Sequence, residues 1–237
     1  MAGTACITGG AKRIGRAIAL GLAERGYNIA LHYRTSVEEA EKLASEIQKK
    51  GRECALFQAD LENSDDVKNL IPKVVNHFPE CRLLINNASV FRRMAFLETD
   101  EKDLDQFLQI HLKTPFFLSQ AFAKYCEKGH IINILDSKIS RNPIGYFPYV
   151  LSKKALAALT GLSAKALGPD IRVNGIAPGI ILPSSESSEK EIEQMAGQLP
   201  LRRKGETSNV VCAVLSLLDN TYLTGQILYV DGGDHLK

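Results

Sequence analysis

Short apolar runs alternate along the whole chain with longer stretches in which apolar residues recur every three or four positions. The runs predict strands at Thr4–Thr8, Asn28–Tyr33, Cys54–Gln58, Leu83–Asn86, His130–Leu135, Arg172–Ile176 and Ile227–Val230. The longer stretches predict helices near Ile14–Arg25, Val37–Lys50, Asp65–His77, Glu101–Glu127, Tyr149–Leu167 and Thr207–Leu218. In the second helix Val37, Ala40, Leu43, Ala44 and Ile47 trace one apolar face, and Ser36 with Glu39 has the spacing of a capping box. Pro72 predicts a kink or a late start in the third helix, and Pro115 raises the same question in the fourth. Strand and helix in strict alternation predict right-handed crossovers and a doubly wound α/β fold, its parallel sheet covered on both faces. No repeat or linker divides the chain, so residues 1–237 read as one domain.

Composition narrows the function classes. With 237 residues and 45% hydrophobic content the chain can bury a full core. A net charge of +2 gives no electrostatic case for nucleic acid or an anionic membrane as partner. The first strand begins without a basic lead or signal-type apolar region, and no apolar stretch is long enough to span a bilayer. Five scattered cysteines without a CxxC pair argue against a zinc site or disulfide framework and for a reducing, cytoplasmic setting. The segment Leu182–Gly197 holds four serines and four glutamates and follows the sixth predicted strand. Residues 182–201 therefore read as a lid at the carboxyl edge of the sheet, with an inert surface excursion as the alternative.

Two signatures carry the chemistry. Thr8-Gly9-Gly10-Ala11-Lys12-Arg13-Ile14-Gly15 closes the first strand, and Gly9 and Gly15 bracket a turn where bare backbone can meet a pyrophosphate at a helix start. It lacks the Gly-Lys-Ser/Thr of a Walker loop. The second strand ends Tyr33-Arg34-Thr35-Ser36, without the acid that would hold a ribose 2′-hydroxyl. Arg34, the hydroxyls of Thr35 and Ser36, and Arg13 from the glycine turn suit a 2′-phosphate instead, so the expected cofactor is NADPH. Near mid-chain, Tyr149 and Lys153 stand one helical turn apart, with Asp136 thirteen residues before the tyrosine. A phenol beside an ammonium can deliver a proton next to a hydride transfer, with Lys153 favouring the phenolate and holding the nicotinamide ribose. Ser137 competes with Asp136 for the place beside Tyr149. Strand alternation favours Asp136, because neighbouring side chains point to opposite faces.

Taken in order, the glycine turn, Asn86-Asn87-Ala88, Tyr149-xxx-Lys153, Pro178-Gly179 and Asp231-Gly232-Gly233 resemble the short-chain dehydrogenase/reductases along essentially the whole chain. The resemblance implies a single Rossmann-like domain with a seven-stranded parallel sheet, commonly assembled as a homotetramer. It implies that Asn87, Ala88, Pro178 and Gly179 line the nicotinamide side, with Asp60 and Leu61 near adenine. Ala155, Leu156, Leu159 and the tail Asp231–Lys237 fall in regions that form interfaces in similar enzymes.

More narrowly, Thr8–Arg13, His32-Tyr33-Arg34, Asn87-Ala88-Ser89 and Asp136 resemble the pteridine reductase and dihydromonapterin reductase branch. That likeness implies that Arg13 touches cofactor phosphate and substrate. Ser89 stands where a glycine is common, and Phe91 forms one wall of a pterin slot. Asp136 stands where a serine is usual, and a carboxyl can share a proton or bond an amidine-like edge. His111 occupies the place of an asparagine that organises a relay water in many members, and no chemical role is assigned to it here. The implied activity is NADPH-dependent reduction of a dihydropterin, and no metal is expected. Two alternatives stay open: a carbonyl reductase such as a 3-oxoacyl-carrier-protein reductase, and a nucleotide-binding regulator that has lost catalysis.

Overall fold

Seven strands and eight α-helices alternate in the computed structural model of the chain, which describes residues 3–183 and 188–236. The strands are β1 (Thr4–Ile7), β2 (Asn28–Tyr33), β3 (Cys54–Gln58), β4 (Cys81–Asn86), β5 (Gly129–Ile134), β6 (Ile171–Pro178) and β7 (Ile227–Val230). All pair in parallel, in the order β3-β2-β1-β4-β5-β6-β7. The helices are α1 (Arg13–Glu24), α2 (Val37–Lys49), α3 (Ser64–His77), α4 (Glu101–Leu108), α5 (Thr114–Tyr125), α6 (Phe147–Leu167), α7 (Glu189–Gly197) and α8 (Thr207–Asp219).

Both faces of the sheet are apolar because the strands alternate between two cores. Ile7, Leu83, Ile85 and Ile132 pack with Ile18 and Leu22 of α1, Leu43 and Ile47 of α2, and Val214 of α8. Their neighbours Cys6, Leu84 and Ile131 pack on the other face with Ile71 and Val74 of α3 and Leu118 and Phe122 of α5. Fully burying one such Leu or Ile contributes roughly 1.5–3 kcal/mol, so the two layers fix the register firmly. The strand order reverses between β1 and β4, which opens a crevice at their carboxyl ends.

Several local expectations differ from the structure. Ser36 starts α2 without a side-chain cap, and the Glu39 carboxylate pairs with Lys12 at 2.8 Å rather than returning to Ser36. Pro72 lies inside α3, which still starts at Ser64, capped by the Asn63 side chain. The single helix expected over Glu101–Glu127 is two helices joined by a π-turn at Gln109–Lys113, with Pro115 in the first turn of α5. The 182–201 segment contains α7, whose Ser188 and Glu191 form a reciprocal cap, while residues 184–187 lie outside the described part. Leu156 and Leu159 turn inward against Leu135 and Ala177, so they are core residues rather than interface residues.

Candidate active site

The crevice is a cavity of about 660 Å³ running from the β1–α1 turn, past the end of β4, to α6 and α7. At one end Gly9 adopts φ +59°, and a side chain on Gly15 would lie 2.5 Å from the Gly9 carbonyl oxygen and 2.6 Å from Asn87 Nδ2. The turn is pinned from three sides. Asn87 Nδ2 donates to the carbonyls of Thr8 (2.9 Å) and Gly9 (3.0 Å), and Thr8 Oγ1 accepts from the amides of Asn87 and Ala88. The Gly9 amide donates to His32 Nδ1 at 3.0 Å, which leaves Nε2–H to donate to the Ala59 carbonyl at 3.1 Å. Burial pushes the His32 imidazole down to about 4, so it stays neutral in this role.

No side chain caps the start of α1, so its first amides are open toward the cavity. Arg13 takes φ 54°, the left-handed region that favours glycine, and donates to the Pro183 carbonyl at 2.8 Å. Arg34 reaches the same end, donating to Glu62 at 2.8 Å with Asp60 at 3.7 Å.

The reacting groups converge at the other end. Tyr149, in the first turns of α6, donates its hydroxyl to Asp136 Oδ2 at 2.8 Å. Asp136 follows β5, and its Oδ1 accepts the Lys138 amide at 2.8 Å, which orients the carboxylate. The next residue, Ser137, is buried and turned away, donating to Asp234 at 3.0 Å. Asp136, extended just past the end of β5, thus stands beside the phenol, while Ser137 opens a 3-10 turn and bonds Asp234 instead. Lys153 is buried one turn after Tyr149, with its ammonium donating to the Ile134 carbonyl at 2.8 Å.

Burial, joined by the charge and hydrogen bond of Asp136, holds the Tyr149 phenol well above its ordinary pKa. Burial also pushes Lys153 down to about 8, against the opposing pull of Asp136. The arrangement therefore keeps the phenol protonated, in its acid form.

Above these groups Phe91 stacks on Tyr146 (ring centroids 5.0 Å apart) and meets Tyr149 edge-on at 4.8 Å. Lys138 lies 5.6 Å over both Phe91 and Tyr146, and 3.6 Å from Asp136. Arg141 is paired with Asp234 across the same mouth.

The cavity brings together Gly9, Arg13, Ile14, Gly15, Arg34, Asp60, Leu61, Asn87, Ala88, Ser89, Phe91, Asp136, Tyr149, Lys153, Pro178 and Gly179. Tyr33, Thr35 and Ser36 are not among its lining residues, and Tyr33 packs against the core. Lys138, Arg141 and Tyr146, to which sequence reasoning gave no part, line it as well, as do His32 of the second-strand motif, Ile192 of the expected lid and Asp234 of the C-terminal tail. Among the described residues no cluster of His, Cys, Asp and Glu has the form of a metal site.

Comparison with known proteins agrees with this geometry. A family model described as enoyl-(acyl carrier protein) reductase matches residues 9–235. The 3-oxoacyl-[acyl-carrier-protein] reductase FabG of Staphylococcus epidermidis is 34% identical over 241 residues, covering 98% of this chain and 99% of the relative. The crystal structure of FolM alternative dihydrofolate reductase 1 from Brucella suis, in complex with NADP, is similar with a TM-score of 0.96 at 37% identity. That match covers 100% of this chain and 97% of the other. A Serratia marcescens short-chain dehydrogenase/reductase mutant follows with a TM-score of 0.92 at 30% identity, over 98% of each chain. The chain belongs to the short-chain dehydrogenase/reductase family.

Proposed function

We propose that the protein is an NADPH-dependent reductase of dihydropterins, with dihydrofolate a further substrate candidate. The observation that carries this reading is the 2.8 Å hydrogen bond between Tyr149 and Asp136 under the Phe91 ring. The likeness to the Brucella FolM structure supports it.

The residues present fit the cofactor. The open start of α1 and the cradle that a side chain on Gly15 would fill suit a pyrophosphate, while Arg13 and Arg34 suit a 2′-phosphate. Asn87, Ala88, Pro178 and Gly179 are the candidates to line the nicotinamide, and Lys153 to hold its ribose. Bound NADPH supplies the hydride. Tyr149 and Asp136 hold a shared proton and pass it to the ring nitrogen next to the carbon that is reduced. The Lys153 ammonium, 5.9 Å from the Tyr149 ring centre, stabilises the negative charge left on the pair. Phe91 covers the flat ring.

A second reading, a 3-oxoacyl-carrier-protein reductase, is favoured by 34% identity to FabG along 98% of the chain. Its chemistry develops an oxyanion at the substrate carbonyl, and the Asp136 carboxylate beside Tyr149 repels such a charge. A basic ring nitrogen or amidine edge is attracted to it. Following NADPH oxidation with 7,8-dihydromonapterin, 7,8-dihydrobiopterin, dihydrofolate and an acetoacetyl thioester separates the two. Turnover of a dihydropterin is the expected result, and turnover of the thioester alone refutes it.

We also propose a cytoplasmic homotetramer. All five cysteines are free thiols, and α5 and α6 expose Phe116, Phe117, Leu151 and Leu162, the last 70% accessible. Sedimentation velocity tests the assembly.

A further inference from the structure

One buried titratable side chain, His111, bonds two segments of the site without hydrogen-bonding the reacting groups, its ring meeting that of Tyr149 edge-on at 5.5 Å. His111 is 1% exposed and sits in the π-turn between α4 and α5. Its Nδ1 lies 2.8 Å from Ser152 Oγ. Its Nε2 lies 2.8 Å from Ser89 Oγ and 3.2 Å from the Val90 amide nitrogen.

A backbone amide only donates, so Nε2 is the unprotonated nitrogen and Nδ1 carries the hydrogen. Nδ1–H then donates to Ser152 Oγ, whose own hydrogen goes to the Tyr149 carbonyl at 2.7 Å. A doubly protonated ring would set Nε2–H against the Val90 N–H. Burial, with the Lys153 charge nearby, holds the His111 pKa well below its ordinary value and so keeps the ring neutral. Neither nitrogen is hydrogen-bonded to the Tyr149 hydroxyl, Asp136 or Lys153, so the imidazole holds Ser152, Ser89 and Val90 rather than the reacting groups.

What it holds matters. Residues 87–93 carry no regular structure, so no strand or helix ladder fixes the Phe91 wall. The other end of the bridge is Ser152, in the same turn of α6 as Tyr149 and Lys153. A π-turn is a local departure from α-helix geometry often found at functional sites, and here it carries the residue that makes the bridge.

We propose that neutral His111 is a positioning residue, clamping the Ser89–Phe91 wall to the helix of Tyr149 and Lys153, with Ser152 selecting the tautomer that makes the clamp. The consequence for catalysis rests on the reading that Phe91 borders a dihydropterin.

The test separates the clamp from that reading. Ser152→Ala releases the tautomer, so that Nε2 can carry the hydrogen and push Val90 away. His111→Gln supplies a carboxamide oxygen that accepts from Val90 without help from Ser152. Hydrogen exchange at the Val90 amide is read on the purified protein without substrate, and kinetics are read with 7,8-dihydrobiopterin. Ser152→Ala is expected to speed Val90 exchange and raise the KM for the dihydropterin about five- to tenfold, the worth of one lost hydrogen bond. The KM for NADPH and kcat should stay within about twofold, because the lost bond is not made in the reaction itself. In the His111→Gln background the same serine change should add nothing.

A fall in kcat with an altered solvent isotope effect and an unmoved KM makes His111 a relay and overturns the clamp. So does unchanged Val90 exchange in Ser152→Ala, or additivity of the two substitutions. If the wild type does not reduce dihydropterins at all, the proposed substrate fails, while Val90 exchange still decides the clamp.

Discussion

The hydroxyl of Tyr149 donates to Oδ2 of Asp136 at 2.8 Å, within a site where burial and that carboxylate together keep the phenol protonated. A protonated phenol is an acid ready to give. Tyr149→Phe removes the proton and leaves the glycine turn and Arg13 untouched. Turnover is expected to fall by about 10² to 10⁴ with NADPH affinity nearly unchanged, checked by stopped-flow turnover beside fluorescence titration with NADPH. Retention of more than a tenth of the rate would place the proton donor elsewhere.

Lys153 sets the alkaline limb. Burial lowers its pKa to about 8, so the ammonium that stabilises the reacting pair is lost as pH rises through that value. Tyr149 titrates far higher and does not produce this limb. The pH–rate profile for reduction should therefore fall above about pH 8. A flat profile to pH 10 would contradict the assigned role.

Arg34 spends its guanidinium on Glu62, which also accepts from Gln106 at 2.9 Å. A 2′-phosphate must compete with that carboxylate. Glu62→Gln removes the competing charge and should lower the KM for NADPH about two- to fivefold, the range of an exposed ion pair. The KM for NADH, measured in parallel, should not move. Equal shifts for both cofactors would mean that Arg34 does not read the phosphate.

Three buried histidines make the fold sensitive to acid. Burial pushes His32 to about 4 and His130 to about 3, and holds His111 well below its ordinary value. The unfolded chain takes up these protons near pH 6.5 and the folded chain does not, so stability falls as pH drops from about 6.5 toward 4. His32 and His130 each contribute a slope of roughly 1.4 kcal/mol per pH unit between those limits, and His111 acts in the same direction. Urea midpoints at pH 7 and pH 5 check this, with the lower midpoint expected at pH 5. Equal midpoints would show that the three rings are protonated in the folded state.

Much of the architecture was legible because both sheet faces are apolar. Unbroken apolar runs such as Leu83-Leu84-Ile85 mark strands buried on both faces, and alternation carried past the end of β5 pointed to Asp136 rather than Ser137 as the neighbour of Tyr149. What escaped was decided by partners distant in sequence. Glu39 had the spacing of a cap, yet Lys12 of the glycine turn takes its carboxylate. Leu156 and Leu159 sit on a helix that is apolar nearly all round, so sequence could not tell core from interface. The π-turn holds His111 against Ser152 and Val90, contacts that no local pattern encodes. Only α7 left a usable trace, in the helical spacing of Ile192, Met195 and Ala196 within a polar segment.

The most direct measurement is the ratio of kcat/KM for 7,8-dihydromonapterin to that for an acetoacetyl thioester, in the wild type and in Asp136→Ser. The expected result is a ratio well above one in the wild type that collapses in the variant, as a carboxyl suited to ring nitrogens gives way to a hydroxyl suited to a carbonyl. A variant that keeps its dihydropterin turnover and gains no activity on the thioester would contradict the role given to Asp136.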